Sequence, residues 1–226
     1  MRNYQLSTIL NELISLTNFF RTTLEQNGNK VEEGHNFDWP NYVFESAKFR
    51  RAHLDVVDVS DTKKLYMVHL CIFPHRNDSS PIFGFDLIAG PNKVTGAFHD
   101  FSASFDNKHY MMQHFENSAK QLTWTKKRDL PEWAKNIFSD NMIAAGNIKD
   151  LQELSTLIEV AKTNLTYYLE NVGSTIKPFI DSTEHQNYYC HNQRQNPHTP
   201  KVMEALGFDK DTVNRFISDC LFPSIK

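Results

Sequence analysis

The sequence predicts a three-layer α/β/α sandwich, with a central antiparallel sheet flanked by helices, in a single domain spanning residues 1–226. Apolar residues recur at helical spacing near both ends of the chain, and five strand-like segments follow one another over residues 42–103. Short turn-like segments separate these strands, and connections this short join antiparallel neighbours, because parallel strands need a longer crossover. The 226 residues contain no evident repeat or linker that would divide them into two domains.

The elements can be placed in order along the chain. A helix is predicted over residues 5–26, where apolar residues at helical spacing lead to the stop signal Asn27-Gly28, and a polar loop over residues 29–40 follows. Strands are predicted at 42–48, 50–59, 64–74, 81–90 and 93–103, and further helices at 107–120, 148–171, 183–194, 199–206 and 209–220. The third and fourth strands are apolar on both faces, which indicates that helices cover both faces of the sheet.

Composition excludes several classes of protein. The net charge of −3 disfavours a dedicated nucleic-acid binder, which needs a basic surface. There is no run of about 18 apolar residues that would predict a membrane span, and no signal-peptide pattern at the N-terminus. Three widely spaced cysteines (Cys71, Cys190 and Cys220) indicate a cytosolic protein with reduced thiols, and they are too few for an iron–sulfur cluster, which usually takes four. The sequence has no glycine-rich nucleotide loop, no GxSxG and no CxxC.

One acidic residue interrupts an apolar strand. Asp86 lies in the segment 81–90, where an unpaired buried carboxylate would cost several kcal/mol or shift its pKa upward. His69, 17 residues earlier, is the only side chain of the preceding strand whose ordinary pKa is near neutral. Two neighbouring apolar strands, each with one proton-carrying group, predict a proton-handling site within the sheet. The structural alternative is a core histidine and an aspartate held by backbone donors.

Other polar residues of the strands are weaker candidates. His53 and Asp55 share a face of the second strand, and the residues alone favour the exposed polar face of an edge strand. Thr95 and His99 share a parity on the fifth strand and, by alternation, should face the same side of the sheet.

Two loop segments carry further candidates. Arg128 precedes a turn that leads into a short helix, and its guanidinium could bind a carboxylate, although a solvated basic run is the simpler interpretation. The polar and aromatic segment 188–200 could line a pocket or form a loop. A metal site made of Cys190, His191 and His198 is disfavoured, because the spacing matches no standard zinc pattern.

Taken together, these segments resemble the ferredoxin-dependent bilin reductases, and most closely the phycocyanobilin:ferredoxin oxidoreductase branch. The match runs in order from about residue 40 to the C-terminus, and the His69-to-Asp86 spacing is the family's own. The matching segments are 49–54 (FRRAHL), 69–74 (HLCIFP), 81–91 (PIFGFDLIAGP), 128–133 (RDLPEW), 137–139 (IFS), 189–190 (YC) and 220–222 (CLF).

The resemblance implies an activity. Members of the family reduce biliverdin, an open-chain tetrapyrrole, in one-electron steps from a reduced [2Fe–2S] ferredoxin, and they carry no bound metal or organic cofactor. By resemblance, Asp86 is the central proton donor to the bilin and His69 is its partner near the lactam oxygens. The substrate would lie between the sheet and the C-terminal helices.

The resemblance also assigns supporting roles. His53 matches a histidine that lies behind the substrate-contacting residues, Arg128 matches a residue that grips a propionate, and Thr95 replaces a propionate-binding serine. His198 lies where a propionate-binding lysine is expected. Further residues that fall on pocket-lining positions are Gln193, Asn196 and Val202.

Two departures bear on the product. Where the phycocyanobilin-forming enzymes place a glutamate near the D-ring vinyl group, this chain has Asp55, which is one methylene shorter. A reach shorter by about 1–1.5 Å can abolish proton delivery, so the vinyl group is expected to survive and the product to be phycoerythrobilin, as in phage-encoded members. Pro197 lies where several relatives carry a second catalytic aspartate, which leaves 15,16-dihydrobiliverdin as an alternative, with phycocyanobilin as the product that overall similarity favours next.

Partners follow from the same resemblance. An acidic ferredoxin should be steered by basic residues near the pocket mouth, for which the candidates are Lys126, Lys127, Arg194 and Lys201. The family's usual monomer is expected. The competing class is a non-catalytic bilin carrier or lyase, and the presence of Asp86, His69 and His53 together speaks against it.

Overall fold

A computed structural model describes residues 2–33, 37 and 39–226, with side chains from residue 8 onward. Seven strands form one sheet: β1 (Asn29–Val31), β2 (Asn41–Glu45), β3 (Phe49–Val59), β4 (Leu65–Pro74), β5 (Ile82–Gly90), β6 (Lys93–Ser102) and β7 (Ile143–Ala145). The helices are α1 (Arg2–Asn27), α2 (Tyr110–Ala119), α3 (Glu132–Lys135), α4 (Leu151–Asn171), α5 (Thr183–Gln193), α6 (His198–Leu206) and α7 (Lys210–Arg215), and α7 continues into a π-helix (Phe216–Leu221).

The sheet is an antiparallel meander in which the strands lie in their sequence order. Most connections are short: Gly90 is followed within three residues by Lys93, and β3 and β4 are joined by residues 60–64. The predicted strand order and antiparallel pairing are confirmed. β3, β4 and β5 lie at the centre of the sheet, so each of them is hydrogen-bonded to a neighbouring strand along both of its edges.

One face of the sheet packs on α1, α2 and α4. The apolar stripe of α1 is fully covered, from Ile9 to Leu24, and meets the stripe of α4 around Leu157 and Leu165 in a continuous core. Asp150 caps α4 by accepting from the backbone N–H of Gln152 at 2.5 Å. The two long helices predicted from periodicity therefore form one outer layer.

The other face packs on α5, α6, α7 and the π-helix. Cys71 and Phe73 of β4 contact a second cluster that includes Tyr189, Met203 and Phe216. The sheet thus lies between two helical layers, and the predicted α/β/α sandwich is confirmed.

Three features differ from the prediction. The loop predicted over residues 29–40 contains β1, and residues 34–36 and 38 of it lie outside the described residues. The short strand β7 was not predicted. The last predicted helix, 209–220, is an α-helix only as far as Arg215 and a π-helix beyond it. Among the described residues, no helix is long and apolar enough to cross a membrane.

Candidate functional site

A cavity of about 290 Å³ lies between the second face of the sheet and the C-terminal helices. Its floor comes from β3 to β6, one wall from the segment that contains α3, and the other wall from α5, α6 and the π-helix. Most of its lining is apolar, including Phe98, Leu130, Met142, Phe216 and Leu221. A mostly apolar cavity with a few converging polar groups is typical of a site for a large organic ligand.

Three titratable side chains form a row across the cavity floor. Asp55 of β3 is paired in register with His69 of β4, and His69 is paired with Asp86 of β5. Residues opposite each other on neighbouring strands project from the same face, and all three line the cavity. His69 Nδ1 lies 2.8 Å from Asp86 Oδ1. The structure therefore brings together the pair that the sequence singled out and adds Asp55 to it.

The sequence predicted that Asp86 is buried, and this prediction is wrong. Its side chain is 44% exposed, whereas that of His69 is only 11% exposed. Within β5 the residues at the positions of Gly84, Asp86 and Ile88 are half-buried and alternate with buried ones. The strand is apolar on both faces because one face lies against the core and the other lines the cavity. Asp86 thus projects into the open part of the cavity, where a ligand would meet it.

The surroundings of His69 favour its protonated form. Burial alone would lower its pKa, but the negative charge of Asp86 and the hydrogen bond to it outweigh the burial, so that the pKa of His69 is raised above its ordinary value. His69 Nε2 is buried and has no hydrogen-bond partner among the described residues. A protonated His69 beside Asp86 can therefore hold a proton next to the open end of the row.

Asp55 is buried and chemically distinct from Asp86. Burial raises its pKa to about 7, although the hydrogen bond from Trp39 and the nearby His69 act in the opposite direction. Trp39 Nε1 donates to Asp55 Oδ1. The prediction of an exposed edge strand is wrong for both His53 and Asp55, since β3 lies inside the sheet and these side chains are 0% and 5% exposed.

His53 lies behind the row and does not line the cavity. Its ring centroid is 5.7 Å from that of His69. His53 Nε2 lies 2.5 Å from Asn41 Oδ1 and 3.5 Å from Cys220 Sγ. His53 therefore lies close to His69, and the supporting role that the resemblance implies for it stays a prediction.

Arg128 and Thr95 meet at the rim of the cavity. The guanidinium of Arg128 donates to the carbonyl of Thr95 at 2.5 Å, and the hydroxyl of Thr95 donates to the carbonyl of Ile88 at 2.9 Å. Both residues line the cavity, and Arg128 is exposed. A solvent-facing guanidinium at the mouth of an apolar cavity is placed to pair with an anionic group of a ligand.

His99 does not share a face with Thr95. The register between β5 and β6 shifts so that Val94 and Gly96 are paired with β5 while Thr95 is left without a partner. Such a bulge reverses the alternation of side chains. His99 is fully buried on the opposite face, where its Nδ1 lies 2.7 Å from the carbonyl of Gly84 and its Nε2 lies 3.1 Å from Asn164 Nδ2.

The C-terminal candidates form the far wall of the cavity. Gln193, Asn196, His198 and Val202 all line it. Gln193 Nε2 donates to the hydroxyl of Tyr189 at 2.7 Å, and Asn196 Oδ1 accepts from the backbone N–H of His198 at 3.0 Å. The side-chain orientations of Gln193 and Asn196 are therefore fixed by contacts within the wall.

Several wall residues escaped sequence reasoning. Phe216, Leu221 and Phe222 come from the π-helix and the residue after it, and the ring centroid of Phe222 is 5.5 Å from that of His69. π-Helical turns occur frequently at functional sites.

Arg51 also escaped sequence reasoning. It is buried, donates to the carbonyl of Cys220 at 2.6 Å and pairs with Glu33. The sequence did offer a signal for Arg51, because it is a charged residue within an apolar strand.

The remaining candidates behave differently. Arg194 is half-buried and donates to the carbonyl of Phe222 at 2.5 Å and to the hydroxyl of Ser224 at 2.8 Å, so it secures the C-terminus. Lys126, Lys127 and Lys201 are exposed. Within the described part of the chain, no three His, Cys, Asp or Glu side chains are arranged to hold a metal ion, and this includes Cys190, His191 and His198.

Comparisons with known proteins agree with this architecture. The profile of the ferredoxin-dependent bilin reductase family matches residues 14–223. A phycocyanobilin:ferredoxin oxidoreductase of Prochlorococcus marinus is 30% identical over 84% of this chain and 77% of that protein. The corresponding protein of Trichodesmium erythraeum is 27% identical over 85% of this chain and 79% of that protein.

Two solved structures share the fold. One is the structure of a PcyX protein, whose sequence is 32% identical to this chain. The two structures superpose with a TM-score of 0.68, and the match covers 95% of this chain and 99% of that chain. The phytochromobilin synthase of tomato, crystallised in complex with biliverdin, is 16% identical, with a TM-score of 0.65 over 88% of this chain and 74% of that chain.

Proposed function

The chain belongs to the ferredoxin-dependent bilin reductase family and is therefore an oxidoreductase, and we propose that it reduces biliverdin IXα to phycoerythrobilin with four electrons from reduced ferredoxin. The observation that carries this proposal is the row of Asp55, His69 and Asp86 across the floor of a mostly apolar cavity. The phytochromobilin synthase of tomato, which shares this fold, was crystallised in complex with biliverdin. The cavity described above lies between the sheet and the helices, where an open-chain tetrapyrrole would have apolar walls on both sides.

Proton delivery falls to Asp86 and His69. A bilin that accepts one electron becomes a more basic radical, and a nearby acid can then deliver the accompanying proton. The side chain of Asp86 is partly exposed to the cavity and is hydrogen-bonded to His69. The pKa of His69 is raised, so that its protonated form is favoured. The proton shared by this pair is transferred to the bilin through Asp86, the member of the pair that is more open to the cavity. The apolar walls exclude water from the radical.

The reaction consumes four electrons and four protons. Two of each reduce the C15–C16 bridge, and two of each reduce the A-ring, while the D-ring vinyl group is retained. Asp55 is the group that would protonate this vinyl, but it has a short side chain, is 5% exposed and has one oxygen engaged by Trp39. These constraints support phycoerythrobilin over phycocyanobilin.

The rim anchors the two propionates. Arg128 supplies a cation at the cavity mouth, Thr95 supplies a hydroxyl, and His198 supplies an imidazole from the start of α6. Gln193, Asn196 and Val202 contact the tetrapyrrole from the C-terminal wall. Together they orient the bilin so that its lactam groups face His69 and Asp86.

Ferredoxin docks at the same end of the molecule. The exposed Lys126 and Lys127 directly precede Arg128, and Lys201 lies on α6 beside the cavity wall. A basic rim of this kind steers an acidic partner, and the rate of reduction should fall as ionic strength rises. We also propose a cytoplasmic location, in keeping with the three free and buried cysteines. A monomer is proposed as well, because it is the state expected from the resemblance to the family.

Three alternatives remain distinct outcomes of a single experiment. The purified protein is incubated anaerobically with biliverdin IXα, ferredoxin, ferredoxin reductase and NADPH, and the products are separated by chromatography. Phycoerythrobilin supports the proposal. Phycocyanobilin would show that Asp55 protonates the vinyl group, and 15,16-dihydrobiliverdin would show that Pro197 leaves the A-ring without a donor. Bilin binding without ferredoxin-dependent turnover would identify a carrier or lyase.

A further inference from the structure

Asp55 is held by a tryptophan that lies outside the cavity. Trp39 precedes β2, and its indole N–H donates to Asp55 Oδ1. Asp55 lines the cavity and Trp39 does not. The hydrogen bond therefore ties the carboxyl group of a cavity residue to the structure behind the cavity floor.

Trp39 itself is fixed by an aromatic cluster. Its ring stacks on Phe37, with centroids 4.7 Å apart and an interplanar angle of 28°. It meets Phe208 edge-on at 4.9 Å and Phe216 at 5.2 Å. The indole thus has little freedom to follow Asp55, and Asp55 must instead break the bond if its carboxyl group is to turn toward a ligand.

We propose that Trp39 is a specificity-determining positioning residue, which prevents Asp55 from protonating the D-ring vinyl group of the bilin. The inference rests on the proposed function and adds a cause to it. A short side chain limits the reach of Asp55, and the indole N–H limits its direction. The vinyl group is spared because both limits apply together.

Once Asp55 is no longer bonded to Trp39, a different four-electron reduction of biliverdin becomes possible. The vinyl group would accept two electrons from ferredoxin and two protons, one of them from Asp55, and become an ethyl group. With the two-electron reduction of the A-ring, the product is phycocyanobilin, again a four-electron product. The electrons still come from ferredoxin, so that only the destination of one electron pair and its protons changes.

The titratable neighbours of Asp55 are compatible with this role. His69 faces it from β4 and Asp86 lies beyond His69 on β5, while Cys220 approaches from the π-helix. The hydrogen bond from Trp39 lowers the pKa of Asp55, against the larger raising effect of burial. Removal of the indole donor should therefore leave Asp55 protonated to higher pH, in the state that can donate.

The test is the product distribution of W39F, which lacks the donor and keeps an aromatic ring. We expect phycocyanobilin to rise from a trace to at least a tenth of the product, and the double variant W39F/D55N to lose it again. W124F is the matched control, because Trp124 packs on the opposite core and does not line the cavity. Unchanged phycoerythrobilin from W39F, with phycoerythrobilin from the wild type, would overturn the inference and leave the proposed function standing.

A second measurement does not depend on turnover. Infrared difference spectra between pH 5 and pH 9, with D55N as the reference, report the C=O stretch of protonated Asp55 in the free protein. In W39F this band should persist to higher pH and shift to higher frequency, since a hydrogen bond to the carbonyl oxygen is lost. A band unchanged from the wild type would show that Trp39 does not bond Asp55, whatever the reaction turns out to be.

A further variant covers the case in which W39F fails to fold. If W39F does not fold, 3-benzothienylalanine at position 39 replaces the indole N–H by sulfur and keeps the bicyclic ring. The same increase in phycocyanobilin is expected. Wild-type protein that already forms phycocyanobilin would contradict both the inference and the proposed product. Its failure to reduce any bilin would contradict the proposed function and, with it, the role of Trp39 that rests on that function.

Discussion

His69 and Asp86 face each other on adjacent central strands, with His69 Nδ1 2.8 Å from Asp86 Oδ1, and the aspartate is the more exposed of the two cavity residues. The histidine is largely buried and its pKa is nevertheless raised, because Asp86 contributes both a negative charge and a hydrogen bond that outweigh the effect of burial. The pair therefore stores a proton at the point where a ligand can collect it.

We expect D86N to retain bilin binding within a few-fold and to lose at least about 100-fold in turnover, because general acid catalysis of this kind contributes 10²–10⁴-fold. The variant should also lower the pKa of His69, since burial remains and the opposing charge is gone. Imidazole ¹⁵N chemical shifts measured against pH report that change. A variant that turns over at the wild-type rate, or a His69 pKa that does not fall, would contradict the assignment.

The fold was predictable because its long elements carry strong periodic signals. The stripes of α1 and α4 and the five long strands exceed the length at which an apolar pattern becomes distinctive, and all were placed within a few residues. β1 and β7 have three residues each, too few for an alternation to be read, and they exist because neighbouring strands offer free edges. The bulge at Thr95 is likewise invisible in the sequence, and it alone sends His99 to the opposite face.

The candidate site was predictable where chemistry and strand position coincide. A charged residue in an apolar strand marked Asp86, but the sequence could not say that one face of that strand borders a cavity, so Asp86 was expected to be buried. Trp39 and the π-helix escaped because their role depends on contacts between distant segments, such as the 169 residues that separate Arg51 from Cys220. Sequence patterns report local periodicity and carry little information on such contacts.

The buried Asp55 should make stability depend on pH in a defined direction. Its pKa is 3.8 in the reference state and about 7 in the folded protein, because of burial. Between these values the unfolded chain has released the proton and the folded chain retains it, so the free energy of unfolding falls as pH rises from about 4 to 7. D55N, which preserves an acceptor for Trp39, removes this dependence.

The measurement is urea unfolding of both proteins at pH 4.5 and pH 8. D55N should gain stability relative to the wild type on going to pH 8, by about 2–4 kcal/mol. Titrations common to both proteins cancel in this comparison. An equal difference at the two pH values would show that Asp55 is ionised in the folded protein throughout.

His99 should produce the opposite dependence. Burial lowers its pKa from 6.5 to about 4, against the weaker effect of the hydrogen bond to Gly84. Below pH 6.5 the unfolded chain binds a proton that the folded chain does not, so stability falls as the pH is lowered from 6.5 to 4. H99Q should lose about 2 kcal/mol of the stability difference between pH 7 and pH 5. If H99Q shows the same acid sensitivity as the wild type, His99 is not the group responsible.

Arg51 connects the sheet to the wall of the cavity, and its loss should reduce stability and ligand affinity together. Its guanidinium is buried, pairs with Glu33 and donates to the carbonyl of Cys220 at 2.6 Å, within the π-helix that supplies Phe216 and Leu221 to the cavity. R51K retains the charge but not the planar fork that reaches both partners. Because a buried carbonyl and a carboxylate would then be incompletely paired, we expect a loss of about 2–4 kcal/mol in the free energy of unfolding.

Bilin affinity separates this role from plain destabilisation. At a temperature where R51K remains fully folded, the Kd for biliverdin should still rise at least tenfold, since the π-helix wall is no longer held in place. R215K, on the exposed surface of α7, provides the matched control and should change stability by no more than about 0.5 kcal/mol. Wild-type affinity in a destabilised R51K would mean that Arg51 supports the fold without shaping the cavity, and that the π-helix is positioned by its apolar contacts alone.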